Sequence, residues 1–264
     1  MCSSRPYISK DRYMRNHFII PYAGNKRQEV ERIDEYLHGK LDDIDTIIEP
    51  FCGSSAMSYY LSVKYPKRFK YILNDIDPML IELYNLMKDK VLVDEFVILL
   101  NETVKLIVDK ESYLEVIKPK TFLSWFISRK IYTLRPGLYR IGYKPITYNF
   151  DDIPIIKFLR EEDVSIRLGN GEDLVVEYEN NPNVLFFIDP PYLFSCNSLY
   201  TNKTTNVYEY FATKKLNNFK SKIVYVIEYT WIIRAIYPDN IKLTYGKHYE
   251  MKHKNTLHAI ISNI

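Results

Sequence analysis

Thr46-Ile47-Ile48-Glu49-Pro50-Phe51-Cys52-Gly53-Ser54-Ser55, followed by Phe69-Lys70-Tyr71-Ile72-Leu73-Asn74-Asp75-Ile76-Asp77, is the stretch whose reading decides the fold. Thr46 to Ile48 reads as a short buried strand that runs into a turn, and residues 56–64 read as a helix. Phe69 to Leu73 reads as a second strand, closed by Asn74-Asp75-Ile76-Asp77. Strand, turn, helix, strand and acid together make a βαβ nucleotide-binding half. Gly53 permits a tight turn, and the helix behind it is expected to offer free N–H groups. Asp75 follows Gly53 by 22 residues, close to the ~20 at which an acid binds ribose hydroxyls. A single Gly beside Ser54 and Ser55 is a weak fingerprint for a phosphate-bearing dinucleotide. It suits a cofactor without phosphates, of which S-adenosylmethionine is one. The plainer reading is an unliganded turn with Asp75 as a helix N-cap.

Outward from this unit, Asn25 to His38 reads as an amphipathic helix. Pro78 is placed to open a helix carrying Leu80, Leu83, Tyr84 and Met87. A further helix is expected from Val91 to Val108. Three more strands are expected, at Ser165 to Leu168, Val184 to Ile188 and Lys222 to Glu228. Ile241 to Tyr245, then Gly246-Lys247, then Leu257 to Ile261 reads as an antiparallel pair closing the sheet edge. The fold class is therefore α/β: a Rossmann-like, mostly parallel sheet with an antiparallel C-terminal edge and a small, mainly helical insert. Residues 1–88 and 150–264 are expected to form the sheet domain and 89–149 the insert.

The strand at 184–188 ends in Asp189-Pro190-Pro191-Tyr192. An amino nitrogen on an aromatic ring is a poor nucleophile, because its lone pair is delocalised. Asp189 can accept one of its N–H groups. Pro190 contributes no N–H and has a fixed φ, which helps hold its own carbonyl as a second acceptor. Pro191 stiffens the turn, and Tyr192 offers a ring on which a base can stack, worth about 1–3 kcal/mol. The four residues suit methyl transfer to such a nitrogen. Taken alone they read equally well as a proline-rich turn after a core strand.

Composition narrows the choices. A chain of 264 residues with 47% hydrophobic and 26% charged residues is long enough to bury a core and has the balance of a folded globular protein. Cys2, Cys52 and Cys196 are odd in number and far apart, against both a disulfide framework and a zinc site. A cytoplasmic location, in a bacterium, phage or virus, is expected, with no membrane segment and no metal. The net charge of +3 is small, but it is unevenly spread. Lys118, Lys120, Arg129, Lys130, Arg135, Arg140 and Lys144 fall in a stretch without one acid, interleaved with Phe122, Trp125, Phe126, Tyr132, Tyr139 and Tyr143. Such a stripe can neutralise phosphates, and its aromatics can reach bases. The alternative is a solvated basic face over a core of aromatics.

With these pieces in place the chain resembles the Dam-type DNA adenine-N6 methyltransferases, the D12 class, over nearly its whole length and in the family's order. Pro21-Tyr22-Ala23-Gly24-Asn25-Lys26 is similar to the family's N-terminal segment, and Glu49-Pro50-Phe51-Cys52-Gly53 to its cofactor loop. Tyr71 to Ile76 is similar to its ribose-binding strand end, and Asp189 to Tyr192 to its catalytic tetrad. The resemblance implies that Tyr22, Gly24 and Lys26 flank cofactor and target base, and that Phe51 and Gly53 line S-adenosylmethionine. It also implies that Asp75 holds the ribose and Asp173 meets the adenine amine. Ala23, Cys52, Ser54, Ser55 and Ile76 join the cofactor set by their place in these segments. Gly137-Leu138-Tyr139-Arg140 is similar to a family segment in which a Leu wedges into the duplex and an Arg reads guanine, and Pro145 to a base-contacting proline. Arg129, Lys130, Arg135 and Lys144 complete the expected DNA surface. Three departures stand out. The loop between Arg140 and Pro145 is short, Ser55 stands where many members have Gly, and Glu228-Tyr229 where many have Asn-His.

The expectation is therefore a site-specific methyltransferase that takes its methyl group from S-adenosylmethionine and acts on an adenine flipped out of double-stranded DNA, in GATC-like sites, as a monomer or weak dimer. Its rivals are a methyltransferase acting on cytosine N4, on RNA or on a protein glutamine, and a catalytically silent nucleic-acid-binding subunit.

Overall fold

The computed structural model describes residues 17–20, 26–130, 150–190, 215–249 and 254–264. Its centre is a seven-stranded sheet of β1 (Thr46–Glu49), β2 (Lys70–Asp75), β3 (Asp163–Leu168), β4 (Val184–Ile188), β5 (Lys222–Glu228), β6 (Ile241–Tyr249) and β7 (Lys254–Ser262), in the order β3-β2-β1-β4-β5-β7-β6. The first five strands in that order pair in parallel, and β7 pairs antiparallel with both β5 and β6. This is the mostly parallel α/β sheet with an antiparallel C-terminal edge that the sequence predicts.

Strand alternation explains why both faces are covered. Ile47, Tyr71, Leu73, Leu185, Phe187, Val224 and Val226 join one core cluster, while Ile48, Ile72, Phe186, Ile188, Tyr225 and Ile227 join the other. With period-two side chains and both faces apolar, the parallel strands must be sandwiched by helices. The first face carries α1 (Val30–Leu37), α2 (Ala56–Lys64), α3 (Pro78–Lys88), α4 (Lys90–Lys105), α5 (Lys110–Ile117), α6 (Phe122–Lys130) and α7 (Pro154–Glu161). The second carries α8 (Gly171–Tyr178) and α9 (Trp231–Ile236). Helices α7, α8 and α9 are additions to the sequence reading. Each is six to eight residues long, too short for a periodic pattern to stand out.

Several boundaries move for local reasons. The helix expected from Asn25 begins at Val30, because Lys26 to Glu29 form a turn in which the Glu29 N–H donates to the Lys26 carbonyl at 2.7 Å. The helix expected to reach Val108 stops at Lys105, and Asp109 opens α5 with a reciprocal Ser112 capping box. Gly246 and Lys247 do not interrupt the last hairpin: they continue β6, opposite Leu257 and Thr256.

Helices α4 to α6 fill the start of the expected insert, and they share the core of the first sheet face rather than forming a core of their own. That overturns part of the reading of the basic stripe. Phe126 is fully buried, edge-on to Phe96 and Phe150, while Phe122 lies on Phe96 and Trp125 stacks on Phe122. Phe126 therefore serves packing, because the 122/126 spacing puts it with Phe122 on the helix face turned to α4, while Phe122 and Trp125 stay partly exposed. Tyr132, Tyr139 and Tyr143 lie outside the described residues.

Candidate active site

In an open α/β sheet ligands bind beyond the carboxyl ends of the strands, where the strand order reverses. Here that point lies between β1 and β4, which are hydrogen-bonded neighbours. The loop from Pro50 to Ser55 leaves one, and Asp189-Pro190 leaves the other. The two segments singled out in the sequence are therefore brought to a single sheet edge.

The loop is tightly built. Gly53 has φ +47° and Ser55 φ +52°, and the Ser55 N–H closes onto the Cys52 carbonyl at 2.6 Å. A left-handed residue is the reason glycine suits position 55, where this chain carries serine. The Tyr84 hydroxyl donates to the Gly53 carbonyl at 2.5 Å. The Asn74 amide donates to the carbonyls of Pro50 (2.9 Å) and Gly169 (3.0 Å), fixing this loop against the one after β3. Burial pushes the Cys52 thiol well above its ordinary value, with the negative charges of Asp75 and Glu49 adding to it, so it stays a neutral wall of the loop.

Asp75 is buried, and its two carboxylate oxygens accept the N–H groups of Gly53 and Asp77, each at 3.0 Å. Burial raises its pKa and these bonds pull the other way. The N-cap of α3 is Asp77, which accepts from Met79, so the capping role considered for Asp75 belongs two residues on. Ile76 is exposed beside it. Across the edge Asp173 is exposed in the first turn of α8. A Cβ on Gly171 would stand 2.7 Å from the Phe51 ring and 2.8 Å from the Pro50 carbonyl oxygen. Glycine there lets helix α8 close on the loop from Pro50 to Ser55.

One N–H of the first turn of α2 is taken up within the protein: Glu49, at the end of β1, accepts the Ser58 N–H at 2.8 Å. Glu49 is a site residue that the sequence reading did not single out. Burial pushes it up to about 7; its hydrogen bonds from Ser58 pull down and the nearby Asp189 charge pushes further up. An acid closing the buried strand β1, nine residues before a helical N–H, was the available signal.

Asp189 forms an ion pair with Lys26, whose side chain is almost fully buried, while the Asp189 side chain remains 19% exposed. Burial raises the Asp189 pKa, and the Lys26 charge opposes the rise. Pro190 is buried next to it. Lys26 and Asp189 are 163 residues apart in sequence, and the fold brings them together. Tyr22, Ala23 and Gly24, then Pro191 and Tyr192, then Arg135, Leu138, Arg140, Lys144 and Pro145 lie outside the described residues. Arg129 sits in α6 with its guanidinium 6.0 Å from the Trp125 ring centre, and Lys130 is the last residue of that helix. Phe51 and Ser54 are partly exposed at the loop.

The residues at this edge fit S-adenosylmethionine: Asp75 is a buried acid suited to ribose hydroxyls, and Phe51 and Ile76 offer apolar surface beside it. Comparison with known proteins agrees with the class. Residues 22–134 match the model of the family described as D12 class N6 adenine-specific DNA methyltransferase. The chain is 27% identical to the Type II methyltransferase M.CviBI of a Paramecium bursaria Chlorella virus, over 93% of this chain and 98% of that protein. It is 29% identical to the Type II methyltransferase M.MjaIII of Methanocaldococcus jannaschii, over 66% of this chain and 68% of that one. Among solved structures, the rRNA methyltransferase aviRa from Streptomyces viridochromogenes aligns with a TM-score of 0.37 and 13% identity, over 93% of this chain and 89% of that one. Among the described residues, no helix is long and apolar enough to cross a membrane.

Proposed function

From a chain whose residues 22–134 match the model of D12 class N6 adenine-specific DNA methyltransferases, we propose a site-specific enzyme that methylates N6 of adenine in duplex DNA. The observation that carries this reading is the Lys26–Asp189 pair at the point where the strand order reverses, beside the loop from Pro50 to Ser55. S-adenosylmethionine, when bound, supplies an electrophilic methyl group. Asp75, Phe51, Ile76 and Asp173 are the residues we assign to holding it. Asp189 and the Pro190 carbonyl each accept one N–H of the target amine, which favours a pyramidal, nucleophilic nitrogen and stabilises the positive charge that develops on it. Lys26 keeps Asp189 ionised against its burial. The acceptor needs the charged form, so activity falls as the pH drops through the raised pKa of Asp189.

An amino group within the base stack cannot reach this edge, so the adenine must leave the duplex, at a cost of a few kcal/mol. Stacking on Tyr192, a Leu138 wedge and phosphate contacts from Arg129, Lys130, Arg135 and Lys144 are assigned to offset that cost. We assign residues 89–149 to target recognition, with Arg140 reading guanine and Pro145 beside it, in GATC-like sites. Duplex DNA of random sequence, treated with enzyme and S-adenosylmethionine and mapped by single-molecule sequencing, tests this. The expected outcome is N6-methyladenine in one short motif. Methylation confined to cytosine N4, to RNA or to protein, or no transfer at all, would refute the reading.

A further inference from the structure

Behind the Lys26–Asp189 pair lies a buried polar cluster that the chemistry above does not use. Glu29 is 3% exposed, and it meets three side chains from the C-terminal hairpin. Its Oε1 accepts the Tyr245 hydroxyl at 2.7 Å and faces His258 Nδ1 at 2.8 Å, while Oε2 pairs with Lys247. Tyr245 and Lys247 alternate along β6 and so share a face, and His258 is the direct cross-strand partner of Tyr245. All three are buried. Isolated in such a place, any one of these charges would be costly. Together they form a satisfied group.

The group is tied to the candidate catalytic acid through three residues of chain. The Lys26 carbonyl accepts the N–H groups of Glu29 at 2.7 Å and Val30 at 3.0 Å. The turn that carries Lys26 therefore moves with Glu29, and Glu29 is pinned to the hairpin. Charges alternate along the row: Asp189, Lys26, Glu29, Lys247. We propose that Glu29, held by Tyr245, Lys247 and His258, is a positioning residue that seats Lys26 and shares its charge, leaving an oxygen of Asp189 free for the target amine. The sheet edge made by β6 and β7 thereby sets the geometry of the reacting acid from the far side. Other charged or titratable groups around the row include Glu49 at the end of β1 and Arg32, whose guanidinium lies 4.9 Å from the Tyr245 ring centre. The negative charge of Glu29 raises the Asp189 pKa and the positive charge of Lys247 lowers it, so removal of each shifts it in opposite directions.

This inference rests on the proposed role of Asp189, and its test separates the two. Glu29→Gln and Lys247→Met are compared with wild type by steady-state methylation across pH and by 13C NMR titration of the Asp189 carboxyl. In Glu29→Gln, kcat is expected to fall at least tenfold, with KM for S-adenosylmethionine changed less than about threefold. The Asp189 titration and the acid limb of the rate are expected to shift to lower pH, and in Lys247→Met to higher pH. If Glu29→Gln does not fold, Tyr245→Phe, which removes one hydroxyl, must still lower kcat without raising KM. Wild-type rates and titrations in these variants, or a loss matched entirely by the unfolded fraction, would overturn the inference. Absence of any methylation by the wild type would instead overturn the proposed function.

Discussion

The Glu49 carboxyl group accepts the Ser58 N–H at 2.8 Å, tying the end of β1 to the first turn of helix α2. A buried acid therefore lies under the loop from Pro50 to Ser55. Burial, and the neighbouring Asp189 charge, hold Glu49 protonated up to about 7. A folded pKa above the unfolded value gives stability that is present in full below about 4.5 and lost as the pH rises through about 7. Glu49→Gln keeps an oxygen for Ser58 and removes the titration. The stability of wild type relative to Glu49→Gln is expected to fall by up to about 3 kcal/mol between acid and alkaline pH, measured by urea unfolding. A pH-independent difference would contradict the burial of an ionisable Glu49.

Gly171 sits where the first turn of α8 meets the loop after β1. A methyl group there would press on the Pro50 carbonyl, which is backbone and cannot swing away. Gly171→Ala is expected to destabilise the protein by about 1–3 kcal/mol, as overpacking does. It should also weaken cofactor binding by displacing Phe51. Thermal unfolding and calorimetric titration with S-adenosylmethionine measure both effects.

Ser55 pays a conformational cost at φ +52°. Glycine takes that conformation without strain but loses more entropy on folding, so Ser55→Gly is expected to stabilise by roughly 0.5–1 kcal/mol. Methylation should persist, since the loop path is unchanged. Destabilisation would show that the serine hydroxyl contributes more than the backbone loses.

The parts of this molecule that were legible in the sequence are those written in local pattern. Ile47, Ile48 and Val184 to Ile188 are uninterrupted apolar runs ending in turn residues, so strands β1 and β4 and the loops beyond them could be placed. The Ala56–Lys64 helix and the Pro78 start of the next helix followed from the same signals. Glu29 could not be read that way. Its partners Tyr245, Lys247 and His258 lie more than 200 residues away, and nothing local shows that a charge at the N-cap of α1 faces a hairpin rather than water. One trace existed: Glu29, the N-cap of α1, precedes Ile33 by four and Leu37 by eight, in phase with the buried stripe of the helix. The aromatics of α6 carry two readings in the sequence for a related reason. Composition shows that basic and aromatic residues interleave, but only the helical phase within the fold shows that Phe126 turns inward.

The central claim is that Asp189 accepts an N–H of a target adenine. Duplex oligonucleotides incubated with methyl-labelled S-adenosylmethionine and wild type or Asp189→Ala, then digested to nucleosides and quantified by mass spectrometry, test it most directly, with cofactor affinity measured in parallel. The account predicts labelled N6-methyladenine with the wild type, and at least a thousandfold less with Asp189→Ala at nearly unchanged cofactor affinity. Near-normal turnover by Asp189→Ala, or a label carried on a base other than adenine, would contradict it.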